Sequence, residues 1–372
     1  MTYLDYQATT PVAPQVAEAM RPWIEEKFAN PHSPSRWGRE AAAAIEVARD
    51  QVEQAINLKG GSVAFTGSAT EALNWALKGT MERMPPERNR IVTVATEHAA
   101  VIDTCEWLAG RGADLTLLPV KADGLIDLDD LKRGLDRHVA IVAVMLVNNE
   151  IGVIQPIGEI ARLVHKCGAL MLCDAVQALG RVDIPKGPDL VAVSAHKIHG
   201  PKGIGALWMR KGVEPASFIH GGGQEQGLRS GTLSPALCVG FGAAAKLAVE
   251  RETRDHDRLL HLWAAALKAL GEGWTINGST AHRYKGNLNI RREGVDAARL
   301  IADLRDIAFS LGSACASGSG RPSHVLRALG LSTREARCSL RLGFGRYTTQ
   351  EELAAACHRI AAAGHAQQKL DE

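Results

Sequence analysis

The chain alternates between short, wholly apolar runs and longer stretches in which apolar positions recur every three or four residues. Ala140–Val147 reads Ala-Ile-Val-Ala-Val-Met-Leu-Val without a polar side chain, which suits a strand buried on both faces of a parallel sheet. Ile91–Ala95, Leu115–Pro119, Ala169–Cys173 and Leu190–Ser194 read as further strands. Between them, Ala41–Ile56, Ala99–Arg111, Leu128–Leu135 and Ile157–Cys167 carry helical spacing. Strands that alternate with helices predict an α/β fold whose mostly parallel sheet is flanked by helices, because parallel neighbours need helical crossovers.

At Ser234 an Ala-rich helical pattern begins and continues to about Leu270, which reads as a connector. Beyond Gly273 short strands mix with helices, the pattern of a smaller α+β C-terminal domain. The expected division is an N-terminal segment, 1–20, packing with the small domain, a large domain over 21–255 and a small domain over 256–372.

Composition narrows the function classes. With 372 residues, 46% hydrophobic and 23% charged, the chain can bury a large core without staples. A net charge of +2 argues against a dedicated nucleic-acid binder. No apolar run reaches the roughly 20 residues of a membrane span, and the Met-Thr-Tyr-Leu-Asp-Tyr start has neither the basic nor the apolar region of a signal peptide. The seven cysteines are odd in number and lack a Cys-x-x-Cys pair, so neither a disulfide framework nor a structural zinc is expected. These features predict a soluble cytoplasmic protein with no metal and no membrane or nucleic-acid partner.

Several positions stand out chemically. Lys197 follows an apolar strand in Ser194-Ala-His196-Lys197-Ile-His-Gly. A lysine there is poorly placed as a solvated charge and well placed as a shielded amine of lowered pKa, although most lysines in turns are merely exposed. Asp174 ends the strand before it, where open α/β sheets bind ligands; it reads equally well as a helix cap. Ser68 and Glu71 form a capping-box pattern at a helix start, whose free amides also favour a phosphate. His98 and Asn149 each follow a predicted strand, as a proton carrier or amide donor, or as ordinary structural and turn residues. Cys315 lies in Gly312-Ser-Ala-Cys-Ala-Ser-Gly-Ser-Gly, a small-residue loop that lets a thiol reach out and react.

Together these segments resemble the cysteine desulfurases of the class V aminotransferase group, fold-type I pyridoxal-phosphate enzymes. The resemblance runs from Tyr3-Leu-Asp-Tyr-Gln-Ala-Thr-Thr-Pro11 to about Thr349. It rests on Ala69-Thr-Glu71, Thr96-Glu-His98, Val147-Asn-Asn-Glu-Ile-Gly152, His196-Lys-Ile-His-Gly-Pro-Lys-Gly203, Gly221-Gly-Gly-Gln-Glu225, Arg229-Ser-Gly-Thr232 and Gly312-Ser-Ala-Cys315, in that order. It implies that the large domain binds pyridoxal phosphate, with Lys197 as its covalent anchor. His98 would stack on the ring and move protons. Asp174 would pair with the ring nitrogen, and Asn149 and Gln177 would contact the phenolic oxygen. Thr70, Ser194 and His196 would hold the phosphate, joined by Thr232 from the neighbouring subunit of a homodimer. Arg341 would clamp the substrate carboxylate, with Arg346 as a nearby rival, and Asn149 would also face the substrate. Cys315 would take sulfur from L-cysteine as a persulfide, releasing alanine. The sulfur would pass to an acceptor protein such as an iron–sulfur scaffold, or toward another sulfur-containing cofactor. The long stretch after Cys315 resembles the NifS- and IscS-type group. Departures are Gly67-Ser68 in place of the usual Ser-Gly, and Ala195 where the family has Gly. A selenocysteine lyase, an aminotransferase or a kynureninase-like hydrolase would need no such cysteine loop. A non-catalytic binding subunit would have no need to keep Lys197, Asp174 and Cys315 together.

Overall fold

The computed structural model describes residues 1–311 and 322–371. In chain order the strands are β1 (Thr2–Tyr3), β2 (Gly61–Thr66), β3 (Arg90–Val94), β4 (Asp114–Leu118), β5 (Val139–Met145), β6 (Leu170–Asp174), β7 (Leu190–Ser194), β8 (Gly205–Arg210), β9 (Thr275–Ile276), β10 (Asn287–Arg291), β11 (Ile307–Ala308) and β12 (Ser339–Gly343). Seven of them form one sheet in the order β2-β8-β7-β6-β5-β3-β4. β8 runs against β2 and β7, and the remaining pairs are parallel. The sheet is therefore mixed α/β and mostly parallel, as the apolar runs predict. β5 and β7 are buried along their whole length, which is why neither alternates with polar residues.

Two strands are not announced by the hydrophobic pattern. β2 has a half-exposed start beside Gly60-Gly61, and β8 emerges from the glycine-rich turn after Lys197. Both are fixed by antiparallel pairing with each other, a contact far apart in sequence.

The connector is one helix of 36 residues, Pro235–Leu270, started by Ser234 accepting from the Leu237 amide and by Pro235 at the first turn. It packs against the helices Pro14–Glu25, Arg36–Ile56 and Gln350–Asp371. The approach to Arg36–Ile56 is close enough that a Cβ on Gly242 would lie 2.6 Å from Ala48 Cα. The C-terminal part holds the antiparallel sheet β12-β10-β9. β1 pairs in parallel with β11, Thr2 opposite Ile307 and Tyr3 opposite Ala308. From there residues 5–11 cross to the carboxyl edge of the large sheet, where Thr10 donates to the His196 carbonyl. Among the described residues no helix is long and apolar enough to cross a membrane.

Candidate active site

A cavity of about 990 Å³ opens at the carboxyl ends of the parallel strands, the edge where open α/β sheets bind ligands. It brings together Lys197, Asp174, His98, Asn149, Gln177 and Arg341, and adds Thr70, Ser194 and His196 at one end. Two further expected site residues are not among the described lining residues. Thr232 is exposed on the loop before the long helix and is not among the described lining residues. Cys315 lies outside the described residues.

Lys197 ends a single 3-10 turn, Ala195–Lys197, directly after β7. Its amine donates to the carbonyls of Gln7 at 2.5 Å and Ala8 at 2.7 Å. Burial, helped by the cations Arg181 and Arg341, brings its pKa down to about 7, against the pull of Asp5 and Asp174. Near neutrality a large share of this amine is unprotonated and nucleophilic. Asp174 ends β6, buried, with Oδ1 accepting the Val176 amide at 2.9 Å. Burial pushes its carboxyl up from the ordinary range, while Val176, His98 and Lys197 oppose the rise.

His98 caps the helix Ala99–Ala109, and its Nδ1 accepts the Ala100 amide at 3.1 Å. The proton of the neutral ring therefore sits on Nε2. Asn148 is spent on its own turn, bonding the Thr96 carbonyl and the amides of Glu150 and Ile151. Asn149 instead faces the cavity, its buried Oδ1 without a partner among the described residues. Gln177 donates to the Gln7 carbonyl at 2.9 Å and accepts from Arg181. An amide nitrogen has a second hydrogen, so one donor remains.

Ser68 starts the helix Ala69–Arg83 by accepting the Glu71 amide at 3.1 Å. The reciprocal half of the expected capping box does not form. Glu71 accepts from the Gly67 amide and from both ends of the Arg229 fork, at 2.7 and 3.1 Å. The carboxylate is thus taken up by Arg229 and the Gly67 amide, and the two-point charged bond ties the Thr232 loop to this helix start. Gly205 lets β8 pass close beneath: a Cβ there would lie 2.5 Å from the Ser68 carbonyl carbon. The first helical amides, Thr70, Ser194 and His196 together make an anion cradle. His196 is held down to about 4 by burial and by Lys197, and its Nδ1 meets Thr9 Oγ1 at 3.1 Å.

Arg341 is almost fully buried; Nη1 donates to the Asn149 carbonyl at 2.9 Å and Nη2 to Asp5 at 2.6 Å. Its Nε has no acceptor among the described residues. Arg346 is paired with Asp255 at 2.7 Å and lines a different, smaller cavity behind Lys197. Of the two arginines, Arg341 is the one that faces the site. The residues that motif reading does not assign are Gln7, Ala8 and Thr9, which hold Lys197 and His196. Lys197 is held by backbone carbonyls, so no side-chain signal marks Gln7 and Ala8.

The class-V aminotransferase family model matches residues 2–355. The chain is 44% identical to the cysteine desulfurase IscS of Rickettsia bellii over 360 residues, covering 94% of this chain and 88% of that protein. It is 43% identical over 361 residues to the IscS of Rickettsia conorii, with the same coverage. A solved NifS-like protein superposes with a TM-score of 0.90 at 32% identity, covering 97% of this chain and 98% of that one. The SspA structure in complex with cysteine gives a TM-score of 0.80 at 32% identity, covering 94% and 100%. The chain belongs to the class-V aminotransferase family, in its cysteine desulfurase branch.

That family implies pyridoxal phosphate, and the lining fits it. A buried carboxylate stands ready for a ring cation, an amine of lowered pKa for an aldehyde, the helix start for a phosphate, and the unpartnered Asn149 Oδ1 for a hydroxyl or ammonium donor.

Proposed function

We propose that this chain is a pyridoxal-phosphate-dependent cysteine desulfurase, which converts L-cysteine to L-alanine and leaves the sulfur on Cys315 as a persulfide. The observation that carries the reading is one cavity holding a lysine amine whose pKa burial lowers, a buried carboxylate on the adjacent strand and a guanidinium whose Nε has no acceptor among the described residues. The curated relatives named cysteine desulfurase, and the similar chain solved with cysteine, support the choice of substrate. Cys315 is the residue that separates this reading from an aminotransferase.

When bound, the cofactor stores the electron pair released at the substrate carbon. Lys197 would anchor it, Asp174 would pair with the ring nitrogen, and Asn149 and Gln177 would meet the phenolic oxygen. Thr70, Ser194 and His196 would hold the phosphate, and Thr232 would reach the phosphate in the second subunit of a homodimer. Arg341 orients the substrate carboxylate by its planar fork. His98, with its proton on Nε2, would stack on the ring and would move protons between the substrate and Lys197. The Cys315 thiolate attacks the substrate sulfur; the carbon–sulfur bond breaks, a sulfur–sulfur bond forms, and the carbon takes a proton. Cysteine plus one thiol thus gives alanine plus one persulfide, with no outside oxidant. Four other thiols are poor nucleophiles, because burial raises Cys105, Cys238 and Cys357 to about 12 and Cys173 well above the ordinary value. The persulfide then passes to an acceptor protein, such as an iron–sulfur scaffold.

Cofactor capture by the cofactor-free protein is expected to speed up with pH. The neutral form of Lys197 attacks, so its rate should rise up to about tenfold per unit below its pKa of about 7 and level off above it. Stopped-flow absorbance checks this, and a rate independent of pH would contradict it. Arg341→Lys is expected to raise KM for L-cysteine about a hundredfold, since a point charge replaces a two-point clamp, with the cofactor absorbance unchanged. Steady-state alanine assays test that split.

A further inference from the structure

Glu150 is a buried carboxylate on the cavity wall to which the mechanism above gives no role. Burial pushes its carboxyl up, against the pull of Ser323, His324, Arg341 and His98. A charge-bearing group is costly to bury unless it is bonded. Its Oε2 accepts from the Ser323 hydroxyl. Ser323, itself buried, also accepts the Leu326 amide at 3.1 Å and so caps the helix His324–Ala328. The next residue, His324, meets the Glu97 carbonyl through Nε2 at 2.9 Å. A carbonyl only accepts, so that nitrogen donates. Two bonds from separate wall segments therefore pin residues 323 and 324 to the cavity.

The same wall peptide holds Arg341. The Asn149 carbonyl accepts from Arg341 Nη1 at 2.9 Å and from Asn287 Nδ2 at 3.2 Å, and the Glu150 carbonyl accepts from Asn289 Nδ2 at 3.0 Å. One short wall segment thus touches both the guanidinium assigned to the substrate carboxylate and the residues that follow the Cys315 segment in sequence.

We propose that Glu150 is a positioning residue which, through Ser323, fixes where the chain re-enters after residue 321 relative to Arg341, and so sets how well Cys315 meets the substrate sulfur. The proposal rests on the desulfurase reading. In this role Glu150 acts through its bond to Ser323.

The test uses the full-length protein loaded with pyridoxal phosphate. Single-turnover persulfide formation on Cys315 is followed by mass spectrometry, beside KM for L-cysteine, the cofactor absorbance and the melting temperature. In Ser323→Ala the persulfide rate is expected to fall about tenfold, because small misplacements of a reacting group carry penalties of this order or larger. KM and the absorbance should stay within about twofold of wild type, which a general loss of structure would not allow. Ser323→Thr, which keeps the hydroxyl, should restore the rate. Glu150→Gln should lower it, and Glu150→Gln with Ser323→Ala should be no worse than the poorer single variant. A wild-type persulfide rate in Ser323→Ala would overturn the proposal, as would a rate loss that merely tracks loss of absorbance, or additive losses in the double variant. If the wild-type protein forms no alanine from cysteine, the desulfurase reading has failed and the proposal falls with it.

Discussion

Lys197→Ala is expected to purify without the visible absorbance of a covalently bound cofactor and to lose alanine formation by at least about a thousandfold. The reason lies in where the amine sits. β7 delivers Lys197 into a cavity where burial and two guanidinium groups make the charged form costly, so that its pKa falls to about 7. No neighbouring lysine can replace it: Lys202, the other lysine among the described lining residues, is exposed at the cavity rim. The backbone carbonyls of Gln7 and Ala8, which take the amine's hydrogens, cannot form the bond themselves. Absorbance of the dialysed protein and a coupled alanine assay check both parts. A variant that kept the band would place the anchor elsewhere.

Cys315→Ala is expected to behave in the opposite sense. Cofactor absorbance should survive, because the cradle of Thr70, Ser194 and His196 and the carboxylate of Asp174 are untouched. L-Cysteine should still perturb the band, because Arg341 remains to bind its carboxylate. Turnover should fall by about a thousandfold or more, the usual scale for loss of a nucleophile. The buried thiols of Cys105, Cys173, Cys238 and Cys357 cannot substitute, since burial resists their ionisation. Sulfide release at the wild-type rate would remove Cys315 from the mechanism.

The sheet is largely legible in the sequence because β5, β6 and β7 are fully or nearly buried and read as uninterrupted apolar runs. Their carboxyl ends place Asp174 and the turn of Lys197 side by side, as strand-end positions suggest. β2 and β8 are harder to read. Their pairing joins residues about a hundred and forty apart, as Thr66 with Gly205, and short strands beside glycines carry little periodic signal. The site's polar side chains are legible for the same reason that they are useful, since Lys, Asp, His and Asn at strand ends are out of keeping with a buried edge. What escapes is the backbone: Gln7 and Ala8 act through carbonyls, and Glu150 bonds a serine more than 170 positions away. Arg341 and Arg346 cannot be ranked from spacing alone. Their partners, Asp5 with Asn149 on one side and Asp255 on the other, rank them.

The most direct test is to mix the wild-type protein, loaded with pyridoxal phosphate, with L-cysteine and a thiol reductant, and to count alanine and sulfide in the same tube while following the absorbance. A desulfurase built on Lys197 and Cys315 should be a yellow protein whose band shifts on addition of cysteine and which yields alanine and sulfide in equal amounts over many turnovers. A yellow protein whose band shifts but which forms no alanine would contradict the desulfurase assignment while leaving the cofactor site in place.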